Sequence, residues 1–319
     1  MNSSMNNKPL RVFLWVVPRT NSTVFTKCMS FVDNTEVWME PFMACYMNET
    51  FYNPEWGVEI PQMVKLRAFM EEIKKKEEFL ALKEKEIEKT MQYTNVWLQD
   101  KIRYPWLKQQ LELHPKDKQF VFIKDQSSAI NDHLEYLPDV PTRHTFLIRH
   151  PQEMYPSLKN MSVNNIDFAK LSWDEFHIGD DAPHFPMKEL FQTHCKLWKY
   201  VKKNLDPEAI IIDGFDLTSK PDVVLPKYFQ KLGIPYKDSY LHWESDPEIV
   251  YSSWKGSSEF VITASKTTAT SRAVESTCFD PPKKPRGTSN PAWKMTEDLK
   301  ECIAYSMPYY EEMYANRLT

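Results

Sequence analysis

Arg19-Thr-Asn-Ser-Thr23 is the first stretch whose residue types and spacing point to chemistry. It follows an unbroken apolar run, Val12 to Val17, and precedes an apolar-periodic segment containing Val24, Phe25, Cys28 and Met29. A strand, a short polar turn and a helix N-terminus in that order bring free backbone N–H groups and the positive end of the helix dipole to one spot, which is an anion site. Arg19 adds a permanent charge on a planar fork suited to phosphate or sulfate oxygens. The turn has no glycine and no Gly-Lys-Ser/Thr ending, so the usual ATP or GTP cradle is absent.

These residues need elements to hold them. The run Arg11–Val17 reads as a buried parallel strand ended by Pro18. Further strands are predicted at 35–40, 119–123, 145–148 and 209–213, with helices between them, including 188–204 and a terminal one over 295–316. Strands alternating with helices imply an α/β fold, a central parallel β-sheet flanked by helices. Each strand ends in charged or polar residues: Arg19, Glu40, Lys124-Asp125, Arg149-His150 and Asp213. Ligands sit at the carboxyl ends of such strands. Apolar residues recur at helical spacing from Met63 to Met91, which predicts a long amphipathic helix within a helical insertion around 61–115. Residues 214–235 predict a helix that stops at Gly233, and 266–272 and 280–287 read as loops, the second stiffened by proline.

Composition sets bounds. The chain has 319 residues, 26% of them charged and 42% hydrophobic, enough for one globular domain over 1–319 whose part beyond 240 is the hardest to assign. A net charge of -4 argues against a general nucleic-acid binder. Five cysteines, scattered without Cys-x-x-Cys spacing, fit reduced thiols and a cytoplasmic location, and no residue cluster has metal-ligand spacing. No apolar run has the length of a membrane span, and the polar start is no signal peptide.

The 19–23 turn resembles the 5′-phosphosulfate loop of the sulfotransferases, enzymes that use 3′-phosphoadenosine 5′-phosphosulfate (PAPS) and release the desulfated nucleotide PAP. Arg19 stands at the basic position, Thr20 and Asn21 at the next two, and Ser22 and Thr23 at the hydroxyl pair. Asn21 replaces a glycine there, and asparagine tolerates a positive φ. A second match is Arg149-His-Pro-Gln-Glu-Met-Tyr-Pro-Ser157, similar to the family's 3′-phosphate motif of an arginine at a strand end and a serine eight residues on. The resemblance implies a P-loop-like sulfotransferase fold. It implies that Arg19, Thr20, Asn21, Ser22 and Thr23 hold the phosphosulfate while Arg149 and Ser157 hold the 3′-phosphate, without a metal. The implied reaction is in-line sulfuryl transfer to a hydroxyl or amine of a small-molecule acceptor, with Arg19 stabilising the leaving group.

The base is open at this point. Soluble members carry Lys-Thr-His at the end of the third strand, where this chain has Lys124-Asp125-Gln126. Lys124 matches the lysine that contacts the sulfonate. Candidates for the base are Glu40 first, by similarity to the bacterial carbohydrate branch, then Asp125, then His133. The family's stacking Trp is Val24 here, leaving Trp243, Trp254 or Phe260 for the adenine. Two other readings compete: a catalytically silent PAP-binding or interaction protein, and a P-loop nucleotide kinase. Aromatic segments around 46–56, 91–106 and 240–260 predict an apolar acceptor pocket.

Overall fold

The computed structural model describes residues 8–49, 96–97, 102–165, 172–179, 186–246, 248–257 and 268–319. The whole of the helix expected over 61–92, Phe260 and most of the 46–56 segment lie outside those residues. Seven strands are described: β1 (Leu10–Val16), β2 (Thr35–Met39), β3 (Val96–Trp97), β4 (Phe120–Gln126), β5 (Thr142–Ile148), β6 (Ile210–Asp213) and β7 (Trp254–Ser257). They form one sheet in the order β3-β7-β2-β4-β1-β5-β6, and every pairing within it is parallel. Ten α-helices are described: α1 (Ser22–Ser30), α2 (Pro41–Met47), α3 (Tyr104–Glu112), α4 (Pro151–Asn165), α5 (Leu190–Asn204), α6 (Gly214–Ser219), α7 (Pro221–Leu232), α8 (Ile249–Ser252), α9 (Thr268–Glu275) and α10 (Glu297–Ala315).

β1 is central because both of its faces are apolar. Phe13, Trp15 and Val17 enter one core with Ile123, Phe146 and Ile148. Val12, Leu14 and Val16 enter the other with Phe25, Phe122 and Leu147. This is the period-two alternation of a strand covered on both sides. From β1 the chain moves to one side of the sheet for β2 and β4, then crosses to the other side for β5 and β6. The order therefore reverses between β1 and β5, and the crevice at their carboxyl ends is the topological switch point, where open α/β sheets bind ligands. Arg19 follows β1 and Arg149 follows β5.

The α/β class and the central strands match the sequence reading. Two stretches differ. Residues 268–275, placed partly in a loop, form α9. Residues 41–47, placed largely in an irregular aromatic segment, form α2, with Pro41 in its first turn where its missing N–H costs nothing. As expected, α7 stops at Gly233, which takes φ 71° and turns the Ile234 N–H back onto the Phe229 carbonyl at 2.9 Å.

Candidate functional site

The turn after β1 folds through two left-handed residues, Arg19 at φ 63° and Asn21 at φ 66°. Thr20 lies between them, buried, its hydroxyl donating to the Val17 carbonyl at 3.0 Å. Asn21 is the N-cap of α1 and makes no side-chain cap bond, so the first turn of α1 presents its N–H groups outward. The turn is pressed from behind by Gly214, the first residue of α6. A Cβ built there would stand 2.8 Å from the Thr20 carbonyl oxygen, so only glycine allows this approach.

Arg19 and Arg149 converge. Arg149 donates from Nη1 to the Arg19 carbonyl at 2.9 Å, and Arg19 donates from Nε to the Ser157 hydroxyl at 3.2 Å. Ser157 sits on α4, which starts two residues after Arg149. Burial first, and the Arg149 charge second, push the Arg19 pKa down from its ordinary value. An anion in this place would offset the desolvated Arg19 charge.

All five residues 19–23, with Arg149 and Ser157, line one open cavity of about 600 Å³. The seven residues read as nucleotide-binding from the sequence are thus brought together. The cavity also takes Arg272 from α9 and Lys283, Lys284, Ser289 and Asn290 from the loop before α10, which sequence reasoning treated as connection only. The signal was there in the paired lysines among prolines, Pro-Pro-Lys-Lys-Pro, but nothing in the sequence says which way that loop folds. Lys27 ties this wall to the helix that follows the 19–23 turn. Buried in α1, it donates to the carbonyls of Val274 and of Ser276, the latter at 2.7 Å.

The remaining candidates lie elsewhere. None of Glu40, Lys124, Asp125 or His133 is among the described residues lining that cavity. Glu40 and Lys124 form a buried ion pair at the ends of β2 and β4. Glu40 sits at φ 51° and its N–H donates to the Lys124 carbonyl at 2.7 Å. Asp125 is fully buried and its carboxylate accepts from the N–H groups of Phe42 and, at 3.1 Å, Met43. It therefore caps α2 from a neighbouring strand. Burial, and next the Glu40 charge, raise its pKa well above the carboxylate range. His133 packs on Tyr104 with ring centroids 4.2 Å apart, and its Nε2 lies 3.2 Å from Glu49.

The adenine candidates need correction. Trp254 is a core residue of β7 donating to the Ser30 hydroxyl, and Trp243 is packed against Phe31 and Phe279. Each is buried because its ring fills the layer around α1. Among the described residues, the Phe and Trp rings that line the cavity are Phe215 and Trp293. Among the described residues, no group of His, Cys, Asp and Glu could hold a metal ion, and no helix is long and apolar enough to cross a membrane.

The chain is similar in fold to sulfotransferases. One is the sulfotransferase domain from the curacin biosynthetic pathway, at 15% identity over 94% of this chain and 98% of that one, with a TM-score of 0.47. A second is the sulfotransferase domain of the Synechococcus PCC 7002 olefin synthase, at 16% identity over 100% of this chain and 98% of that one, also 0.47. A third is mouse sulfotransferase SULT7A1 complexed with PAP, at 12% identity over 97% and 84%, with a TM-score of 0.36. No family model and no curated protein sequence matches the chain. These likenesses are of fold alone.

Proposed function

We propose that this chain binds PAPS and transfers its sulfuryl group to a hydroxyl or amine of a small-molecule acceptor. One observation carries the reading. Two separate anion-binding devices, the 19–23 turn with its open helix N-terminus and the Arg149–Ser157 pair, open onto a single cavity at the switch point of the sheet. A nucleotide with phosphates at both ends of its ribose fits two such devices; one helix N-terminus would serve a single phosphate.

In this reading Arg19 and the amides of Thr20, Asn21, Ser22 and Thr23 grip the 5′-phosphosulfate, and Arg149 with Ser157 takes the 3′-phosphate. Phe215 and Trp293 are the rings available to the adenine. PAPS supplies a sulfuryl group whose bond to the 5′-phosphate oxygen breaks as the bond to the acceptor forms. Arg19 faces the charge that develops on that phosphate. Glu40 accepts the acceptor's proton, and Lys124 holds the Glu40 carboxylate in place. Asp125 is assigned to capping α2, and His133 to packing on Tyr104. The location read from the sequence, cytoplasmic, is part of the same proposal.

The test is a thermal-shift titration with PAP, with ATP, ADP and GTP in parallel. A ligand at a hundred times its Kd stabilises the native state by about 2.7 kcal/mol. A PAP-selective shift that Arg149→Ala abolishes supports the reading; a shift with ATP alone rejects it. Glu40→Gln should keep the PAP shift and lose turnover, and retained turnover would remove Glu40 as the base. A second reading, a silent PAP-binding protein, is favoured by the pairing of Glu40 with Lys124, which engages the only proton acceptor assigned. Turnover with any acceptor eliminates it.

A further inference from the structure

Glu153 is, with Asp280, one of two carboxylates in the described lining of a cavity that carries five cations. Its neighbours on the lining include Arg19, Arg149, Arg272, Lys283 and Lys284. A negative charge there opposes anion binding, so its place needs another account. Its two oxygens are divided. Oε2 accepts from Nε of Arg149 at 3.0 Å, and Oε1 accepts from the backbone N–H of Gly287 at 2.7 Å. Gly287 is the turning point of the basic 283–290 loop. It sits at φ 76°, and a Cβ built on it would stand 3.2 Å from the His150 ring. The loop thus touches the Arg149–Glu153 segment at a point where a side chain would intrude. Lys283 and Lys284 on one side of Gly287, and Ser289 and Asn290 on the other, line the cavity.

We propose that Glu153 is a positioning residue that couples Arg149 to the 283–290 loop, one carboxylate oxygen on each, so that the anion-facing arginine and the basic loop keep one register. With Nε held by Glu153 and Nη1 held by the Arg19 carbonyl, the guanidinium plane is fixed from two sides. Among the described residues nothing else engages Nη2 or the second Nη1 hydrogen, which leaves them to a ligand. Pre-ordering of this kind lowers the cost of binding and acts mainly on dissociation. The anion in question rests on the nucleotide reading above. The contact between the loop and Glu153 does not.

Two measurements separate these. Hydrogen exchange of the ligand-free full chain reads the loop alone. Glu153→Ala should speed exchange of the 283–290 amides while the amides of β1 and β5 remain protected, a pattern that a general loss of stability would not produce. Stopped-flow binding of PAP reads the coupling. Dissociation should rise about tenfold, the ratio matching loss of a hydrogen bond to a charged group, with association within about twofold. Unchanged exchange in the folded variant overturns the proposal, and so does faster exchange with unchanged PAP dissociation. Should Glu153→Ala not fold, Gly287→Ala keeps both side chains and forces the loop off His150; it must show the same two effects or the proposal fails. If the wild-type chain binds no PAP, the nucleotide reading falls, and the exchange data alone decide whether Glu153 holds the loop.

Discussion

Arg19, Arg149 and Gly214 settle different parts of the same problem at the scale of single residues. The arginines bring charge, and Gly214 brings room. Its Cα hydrogen faces the Thr20 carbonyl where a methyl would come within 2.8 Å of a backbone atom. The backbone cannot yield by rotating a side chain, so an alanine must displace either the 19–23 turn or the start of α6. Gly214→Ala is therefore expected to weaken PAP binding by about tenfold or more, since misplacing a preorganised oxyanion site by a fraction of an ångström forfeits charge-assisted hydrogen bonds. Calorimetric titration measures it. Gly179, which has nothing within 4 Å of its built Cβ, is the control: Gly179→Ala should bind as the wild type does. Equal affinity in both variants would mean that the turn does not hold the anion.

Helix starts make the contrast at the scale of elements. α1 and α2 each follow a strand and each begin near the carboxyl edge of the sheet. The start of α2 is filled, because Asp125 receives the Phe42 and Met43 N–H groups. The start of α1 has no such side chain and faces the cavity. The same device is thus spent on stability in one place and left open in the other. Both Asp125 oxygens accept backbone N–H groups, so Asp125→Asn keeps one accepting oxygen and turns its NH2 onto an N–H that the carboxylate receives. It should cost about 1–2 kcal/mol in a melt at pH 7, and Asp125→Ala, which loses every one of these bonds, should cost more. A neutral Asp125→Asn would mean that the capping bonds contribute little to stability. Asp125 reads as a candidate base in the sequence because a carboxylate at a strand end is equally suited to both jobs. Which one it does depends on α2, packed from 83 residues away for the Phe42 contact. Strand ends and the 19–23 turn were legible because their signals are local: apolar runs, one proline, hydroxyls at a helix start. The cavity's second wall was not, since the fold of 272–293 is fixed by Lys27 reaching into it and by Glu153 holding Gly287, contacts that leave no periodicity.

Across the whole molecule, stability rests on two cores that bury neutral histidines. His144 accepts the Trp15 indole N–H at Nδ1, 3.0 Å, beneath the stacked rings of Trp15 and Phe13. His194 is fully buried on α5, its Nδ1 2.6 Å from the Ser127 hydroxyl. Burial lowers the His144 pKa to about 4 and that of His194 to about 3. A folded pKa below the unfolded value means that the unfolded chain binds the proton first as pH falls. The stability these two sites confer is therefore fully present above pH ~6.5, the unfolded histidine value. It is lost progressively down to about pH 4 for His144 and about pH 3 for His194. At 1.36 kcal/mol per pH unit the shifts correspond to roughly 3 kcal/mol for His144 and roughly 5 kcal/mol for His194. Urea unfolding at pH 7.5, 5.5 and 4.5 should show the midpoint falling through this window with little change in slope. His194→Gln should flatten that fall, because the carboxamide can meet Ser127 without taking a proton. An unaltered pH dependence in His194→Gln and in a matching His144→Gln would place the acid sensitivity in the carboxylates instead.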